Sequence, residues 1–169
     1  RTTFGNQFMI LVFGKTGQVA TELQRFGSVV TLGRDEADLT NPKACGEAIR
    51  YYEPRAVINS AAYTAVDAAE EEEALATIIN GRAPTAMAQA CAKLRIPLVN
   101  ISTDYVFEGV GEEPWQPNDP TLPQNAYGRS KLVGENGIRD VGCAHAIIRT
   151  SWVVSAVGKN FLKTMLRLS

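Results

Sequence analysis

Two short runs place a hydroxyl, a phenol and an amine where a ketone could be reduced. Ser102-Thr103-Asp104-Tyr105-Val106-Phe107 closes an apolar stretch, and Asn125-Ala126-Tyr127-Gly128-Arg129-Ser130-Lys131 follows with a Tyr and a Lys four apart. If residues 126–138 are helical, Tyr127 and Lys131 stack one turn apart on one face. A phenol ionises at about pH 10, too high to trade protons readily at neutral pH, and a nearby lysine cation is expected to lower that value. Thr103 would hold a carbonyl oxygen within reach of the phenol. The set then comprises a proton donor, its tuning group and a positioning group, suited to reduction by a nicotinamide cofactor. The Tyr-x-x-x-Lys pair alone says little. With five Tyr and six Lys in 169 residues, it arises by chance about 0.2 times per chain. Its context carries the argument.

The elements that must position these groups begin upstream. Phe8-Met9-Ile10-Leu11-Val12-Phe13 is a continuous apolar run, the pattern of a parallel strand buried on both faces. It runs into Gly14-Lys15-Thr16-Gly17-Gln18-Val19-Ala20 and a helical stretch. Strand, glycine turn and helix are the setting in which a backbone approaches a dinucleotide pyrophosphate. Gly14 permits the turn, Gly17 the approach, and Ala20 close packing, while the helix N-terminus offers free N–H groups. The spacing G-x-x-G-x-x-A matches the dinucleotide fingerprint in part, and an ordinary strand-to-helix turn would also produce it. The second strand, Val29-Val30-Thr31-Leu32, ends at Gly33-Arg34-Asp35. NAD-specific sites place an acid there for the ribose 2′-hydroxyl. Arg34 suits a 2′-phosphate instead, so NADPH is the expected cofactor. Asp35 beside it leaves NADH open.

Strand-like runs recur at residues 8–13, 29–32, 56–60, 96–102 and 146–153, with helical patterns at 18–25, 42–52, 83–94 and 126–138 between them. That alternation predicts an α/β fold, a doubly wound parallel sheet of Rossmann type with right-handed crossovers. Residues 9–169 form this domain, and residues 1–8 read as an N-terminal extension. Residues 108–124 carry Pro114, Pro117, Pro120 and Pro123. Lying between Thr103 and Tyr127, this loop is expected to overhang the site. The segment Asn160–Leu168 has apolar residues at helical spacing and reads as a helix at which the chain is cut.

Composition narrows the partners. A 45% apolar content is that of a globular core, and a net charge of −1 gives no electrostatic case for nucleic acid or an anionic membrane. No apolar run has the length of a bilayer span. Cys45, Cys91 and Cys143 are widely spaced and accompany a single His. No metal site is expected, and the thiols read as buried and free in a reducing cytoplasm.

Taken together the runs resemble the extended short-chain dehydrogenase/reductase superfamily, and within it the dTDP-4-dehydrorhamnose reductase family. The resemblance rests on Phe13-Gly14-Lys15-Thr16-Gly17-Gln18-Val19, Asp38-Leu39-Thr40, Val57-Ile58-Asn59-Ser60-Ala61-Ala62-Tyr63-Thr64-Ala65-Val66-Asp67, Ser102-Thr103-Asp104-Tyr105-Val106-Phe107, Tyr127-Gly128 with Lys131, and Arg149-Thr150-Ser151-Trp152-Val153. They span nearly the whole chain from Phe8. The resemblance implies NADPH-dependent reduction of the 4-keto group of dTDP-4-dehydro-L-rhamnose, with Thr103, Tyr127 and Lys131 as the catalytic residues. It implies that Gly14, Gly17, Gln18 and Val19 bind pyrophosphate, that Asp38 and Leu39 flank adenine, and that Ala61, Ala62 and Thr64 line the cofactor. Asp104, Tyr105 and Trp152 fall where the family meets the sugar, although a core aromatic is the competing reading for Trp152. Asp67 and the acids Glu70–Glu73 read as a solvated helix start. Val154 stands where the family usually has Tyr. Family members continue into a C-terminal substrate domain, so the resemblance implies that residues 9–169 are the cofactor-binding part of a longer protein. Two other readings stay open: a non-catalytic cofactor-binding subunit like the regulatory subunit of methionine adenosyltransferase, and another nucleotide-sugar 4-ketoreductase or epimerase. A homodimer is also left open.

Overall fold

The computed structural model describes residues 8–158 and 160–168. The extension expected over residues 1–8 lies, apart from Phe8, outside them. Five strands form one parallel sheet: β1 (Ile10–Phe13), β2 (Val29–Leu32), β3 (Ala56–Asn59), β4 (Leu98–Thr103) and β5 (His145–Thr150), in the order β2-β1-β3-β4-β5. Between them run α1 (Gln18–Leu23), α2 (Pro42–Tyr52), α3 (Glu73–Thr77), α4 (Ala83–Leu94) and α5 (Ala126–Val141), and α6 (Phe161–Leu168) follows β5. Right-handed crossovers put α2, α4 and α5 on one face and α1 on the other, so the sheet is doubly wound as expected.

Each strand is where its apolar run predicts, and the differences lie at the ends. Leu11, Val12 and Phe13 of β1 are fully buried, each worth roughly 1.5–3 kcal/mol of transfer free energy. Strand β5 stops at Thr150 rather than at Val153, because Trp152 takes a left-handed φ of 50°. Helix α2 starts at Pro42 behind Asn41, whose side chain accepts a hydrogen bond from the Ala44 N–H, the expected capping chemistry. Helix α5 runs on to Val141 and ends at Gly142, φ 72°.

One element escaped the sequence pattern. A helical stretch begins at Glu73 and joins α4 through a π turn over Ile78–Arg82. The wider turn carries a buried side chain, Asn80, which accepts from Tyr63 N at 2.8 Å and donates to Tyr63 O at 3.0 Å and Ser130 Oγ at 2.9 Å. It thereby ties the segment after β3 to α5. Among the described residues no helix is long and apolar enough to cross a membrane.

Candidate active site

The strand-to-helix turn after β1 is set by Gly14, whose φ of 110° disfavours any side chain and where a Cβ would stand 2.9 Å from Ser60 Oγ. Gly17 precedes α1 with open space around it: a Cβ there would meet no protein atom within 4 Å. Gln18 donates through Nε2 to Val153 O at 3.2 Å and accepts through Oε1 from Asn160 Nδ2 at 3.0 Å. It thereby holds the chain that follows β5 against α1.

Helix α5 presents Tyr127 and Lys131 on one face, as their spacing demands. Its first turn is capped by Asn125 Oδ1, which accepts from Gly128 N at 2.7 Å. A Cβ on Gly128 would overlap the Tyr105 carbonyl oxygen. The Tyr127-Gly128 pair therefore seats α5 directly on the turn after β4. Thr103, the last residue of β4, donates through Oγ1 to Asp104 Oδ1 at 3.1 Å and accepts from Tyr105 N at 3.2 Å. Its hydroxyl also lies close enough to the Tyr127 phenol to favour the ionised form of that phenol. The Tyr105 and Tyr127 rings meet edge to face at 5.7 Å.

Two adjoining cavities meet at Tyr127. The larger, about 350 Å³, is lined by Gly17, Gln18, Val19, Ala61, Ala62 and Lys131 among others. The smaller, about 210 Å³, is lined by Thr103, Asp104, Tyr105 and Trp152 among others. Thr64 and Tyr127 belong to both. Of the residues expected at a cofactor, Gly17, Gln18, Val19, Ala61, Ala62 and Lys131 thus line the larger cavity and Gly14 lines neither, while the four expected at a sugar line the smaller. Trp152 is 70% exposed and rests against Phe161 with ring centroids 4.6 Å apart, so it is no core aromatic. Arg34, Asp38 and Leu39 line neither cavity. Arg34 Nε pairs with Asp38 Oδ2 at 3.3 Å beyond the end of β2, while Leu39 packs into the core. None of residues 108–124 lines either cavity, so the proline-rich loop does not overhang the site. Arg149 holds it aside, donating to Pro117 O at 3.1 Å and stacking on Phe107, which in turn stacks on Trp115.

The tuning expected of Lys131 is corrected by the structure. Burial pushes the Tyr127 phenol above its usual value, the nearby Thr103 hydroxyl acts the other way, and Asp104 and Tyr105 raise it further. The Lys131 ammonium, 3% exposed, is turned instead onto Ile101 O at 2.7 Å. Burial lowers its own pKa to about 8, against the opposing pull of Glu135. Desolvation drives both groups toward their neutral forms.

Sequence reasoning missed three sets of residues. The acids read as a solvated face clamp the site: Glu70 accepts from Ala126 N at 2.8 Å, Glu73 takes Arg129 through two bonds of 2.8 and 2.9 Å, and Glu72 accepts from the Tyr63 phenol at 2.6 Å. Glu135, one turn beyond Lys131 on α5, is fully buried and accepts from Ser102 Oγ at 2.6 Å, Arg149 Nη2 at 2.7 Å and Arg139 at 2.9 Å. Its i+4 spacing from Lys131 was the one available signal. The last is Glu36. Its Oε2 accepts from Gly33 N at 2.8 Å and from Lys15 Nζ at 3.1 Å, so a carboxylate does stand at the end of β2.

The family model for the RmlD substrate binding domain matches residues 8–169. The dTDP-4-dehydrorhamnose reductase of Burkholderia thailandensis is 48% identical over 164 residues, covering 95% of this chain and 55% of that protein. The protein of the same name from Salmonella typhimurium is 46% identical over 168 residues, covering 95% and 56%. The crystal structure of dTDP-4-dehydrorhamnose reductase from Bacillus anthracis, in complex with NADP, gives a TM-score of 0.90 at 34% identity, covering 95% of this chain and 59% of that one. The chain spans little more than half the length of these relatives.

Proposed function

This chain belongs to the RmlD substrate binding domain family, and on that premise we propose that the protein carrying it reduces the 4-keto group of dTDP-4-dehydro-L-rhamnose with NADPH, giving dTDP-L-rhamnose. The observation that carries the reading is the place of Tyr127 at the junction of two cavities, with Lys131 on one side and Thr103 on the other. The relatives named above are reductases, which favours catalysis over the regulatory-subunit reading.

The residues present fit a dinucleotide. The clear space at Gly17 and the adjoining cavity of about 350 Å³ leave room for a pyrophosphate to approach the backbone. Gly14, Gly17, Gln18 and Val19 would hold the phosphates, Ala61, Ala62 and Thr64 the middle of the cofactor, and Arg34, Asp38 and Leu39 the adenosine end. When bound, the nicotinamide supplies a hydride. Lys131 would hold the nicotinamide ribose with the donors its bond to Ile101 leaves over. Asp104, Tyr105 and Trp152 would meet the sugar.

The raised pKa of Tyr127 suits a reduction. A phenol kept neutral by burial carries the proton that the ketone oxygen needs as it becomes a hydroxyl. Thr103 turns its hydroxyl from Asp104 to the same oxygen and fixes it beside the phenol. Asp104 and Tyr105 N, bonded to Thr103 in the free site, hold that hydroxyl in place beforehand. The three buried free cysteines suit a reducing compartment, and a cytoplasmic location is part of this proposal.

The test is NADPH oxidation by the full-length protein on dTDP-4-dehydro-L-rhamnose. Tyr127→Phe should lower kcat by about 10²–10⁴-fold. A wild type no faster than this variant would end the reductase reading.

A further inference from the structure

The end of β2 holds two ion pairs, and one of them is built from the glycine turn itself. Gly14 N donates to Leu32 O at 2.9 Å, which brings the turn after β1 against the end of β2. The next residue, Lys15, reaches across this junction. Its Cδ lies 3.3 Å from the position a Cβ on Gly33 would occupy. Its Nζ meets Glu36 Oε2 at 3.1 Å, the same oxygen that accepts from Gly33 N at 2.8 Å. Glu36 comes back to Gly33 because residues 33–37 form a tight turn, with Glu36 N and Ala37 N both donating to Gly33 O. A carboxylate and an ammonium therefore share the place where a dinucleotide fold receives the adenosine ribose. Arg34, by contrast, points to Asp38.

We infer that Lys15 and Glu36 together set the choice between a phosphorylated and an unphosphorylated ribose, Lys15 as the cation for a 2′-phosphate and Glu36 as the acceptor for a 2′-hydroxyl. The inference rests on the dinucleotide reading above. A 2′-phosphate must take the Lys15 ammonium from Glu36 and tolerate the carboxylate beside it. A 2′-hydroxyl donates to the carboxylate and leaves the pair intact. One ion pair thereby admits both cofactors, its cation favouring NADPH and its anion NADH. Glu36 is held anionic by Gly33 N first and Lys15 second, so it stays charged at neutral pH. The pair is open to water, with side-chain exposures of 49% and 38%, so the preference must weaken with salt.

The experiment titrates NADPH and NADH against the full-length protein by ligand fluorescence, with no turnover. The variants are Lys15→Met, Glu36→Gln and Arg34→Ala. Lys15→Met should weaken NADPH by about tenfold, with NADH held within a factor of about two. Glu36→Gln should tighten NADPH and weaken NADH. Raising salt should erode the wild-type preference and leave the ratio of Lys15→Met nearly flat. Failure of the parent reading shows as a wild type that binds neither dinucleotide. If the wild type binds both and Lys15→Met keeps the wild-type ratio, or if the ratio responds to Arg34→Ala alone, the assignment to Lys15 and Glu36 is overturned. Thermal midpoints of the three variants within a few degrees of wild type exclude misfolding, and Glu36→Gln keeps the question open to test should Lys15→Met fail to fold.

Discussion

Replacing Lys131 by Met should make the cofactor-free protein less dependent on alkaline pH for its stability. The native ammonium is buried and its pKa falls from 10.5 to about 8. A depression of that size corresponds to about 3 kcal/mol favouring the neutral amine, at ~1.36 kcal/mol per unit. In the unfolded chain the same lysine stays protonated up to its ordinary value. Between about pH 8 and pH 10.5 the unfolded state binds one more proton than the native state, so wild-type stability rises with pH across that window. Below about pH 8 the burial cost is present in full. Against it stands the bond from Nζ to Ile101 O at 2.7 Å, a charged hydrogen bond worth about 1.5–3 kcal/mol. Lys131→Met removes both effects. At neutral pH the variant should match the wild type or exceed it by up to about 2 kcal/mol. By about pH 10 the difference should have moved by ~2.5 kcal/mol in favour of the wild type, at no more than about 1.4 kcal/mol per pH unit. The assay is urea unfolding of both proteins without cofactor from about pH 6 to pH 10. Other titrating groups cancel in the difference. A stability gap that stays flat over the alkaline range, or moves the other way, would refute desolvation as the governing influence on Lys131.

Two further outcomes follow from packing. Glu135→Leu strands Arg149 with its buried partner gone and should cost about 3–5 kcal/mol in urea unfolding, while Glu135→Leu with Arg149→Met should regain most of it. A double variant as unstable as the single one would show that the carboxylate matters through Ser102 instead. A Cβ on Gly134 would overlap the Asn80 backbone carbonyl, whereas one on Gly137 would meet the Thr85 side chain, which moves only by giving up its bond to Gly81 O at 2.9 Å and not by shifting the backbone. Gly134→Ala should therefore lower Tm by roughly 2–12 °C and by more than Gly137→Ala does. The reverse order in calorimetry would contradict the close fit of α5 on the π turn.

The sequence by itself determined the features that depend on near neighbours. Apolar runs placed all five strands, because a parallel strand buried on both faces must be apolar throughout. Asn41 before Pro42 started α2, and the spacing of Tyr127 and Lys131 put both on one helical face. The residue runs also determined the family, and with it the expectation that Thr103 and Tyr127 meet. Tertiary structure decided the electrostatics. Whether Lys131 acts on Tyr127 or on Ile101 depends on where β4 lies beneath α5. The answer turned the expected lowering of the phenol pKa into a rise. Glu70 and Glu73 looked like solvated acids until folding brought them to Ala126 and Arg129, each 56 residues away. The end of β2 looked free of acid until the turn at residues 33–37 folded Glu36 onto Gly33. Local preference is written in neighbouring residues. A charge's partner and its desolvation are set by through-space distances that exist only once the sheet has assembled.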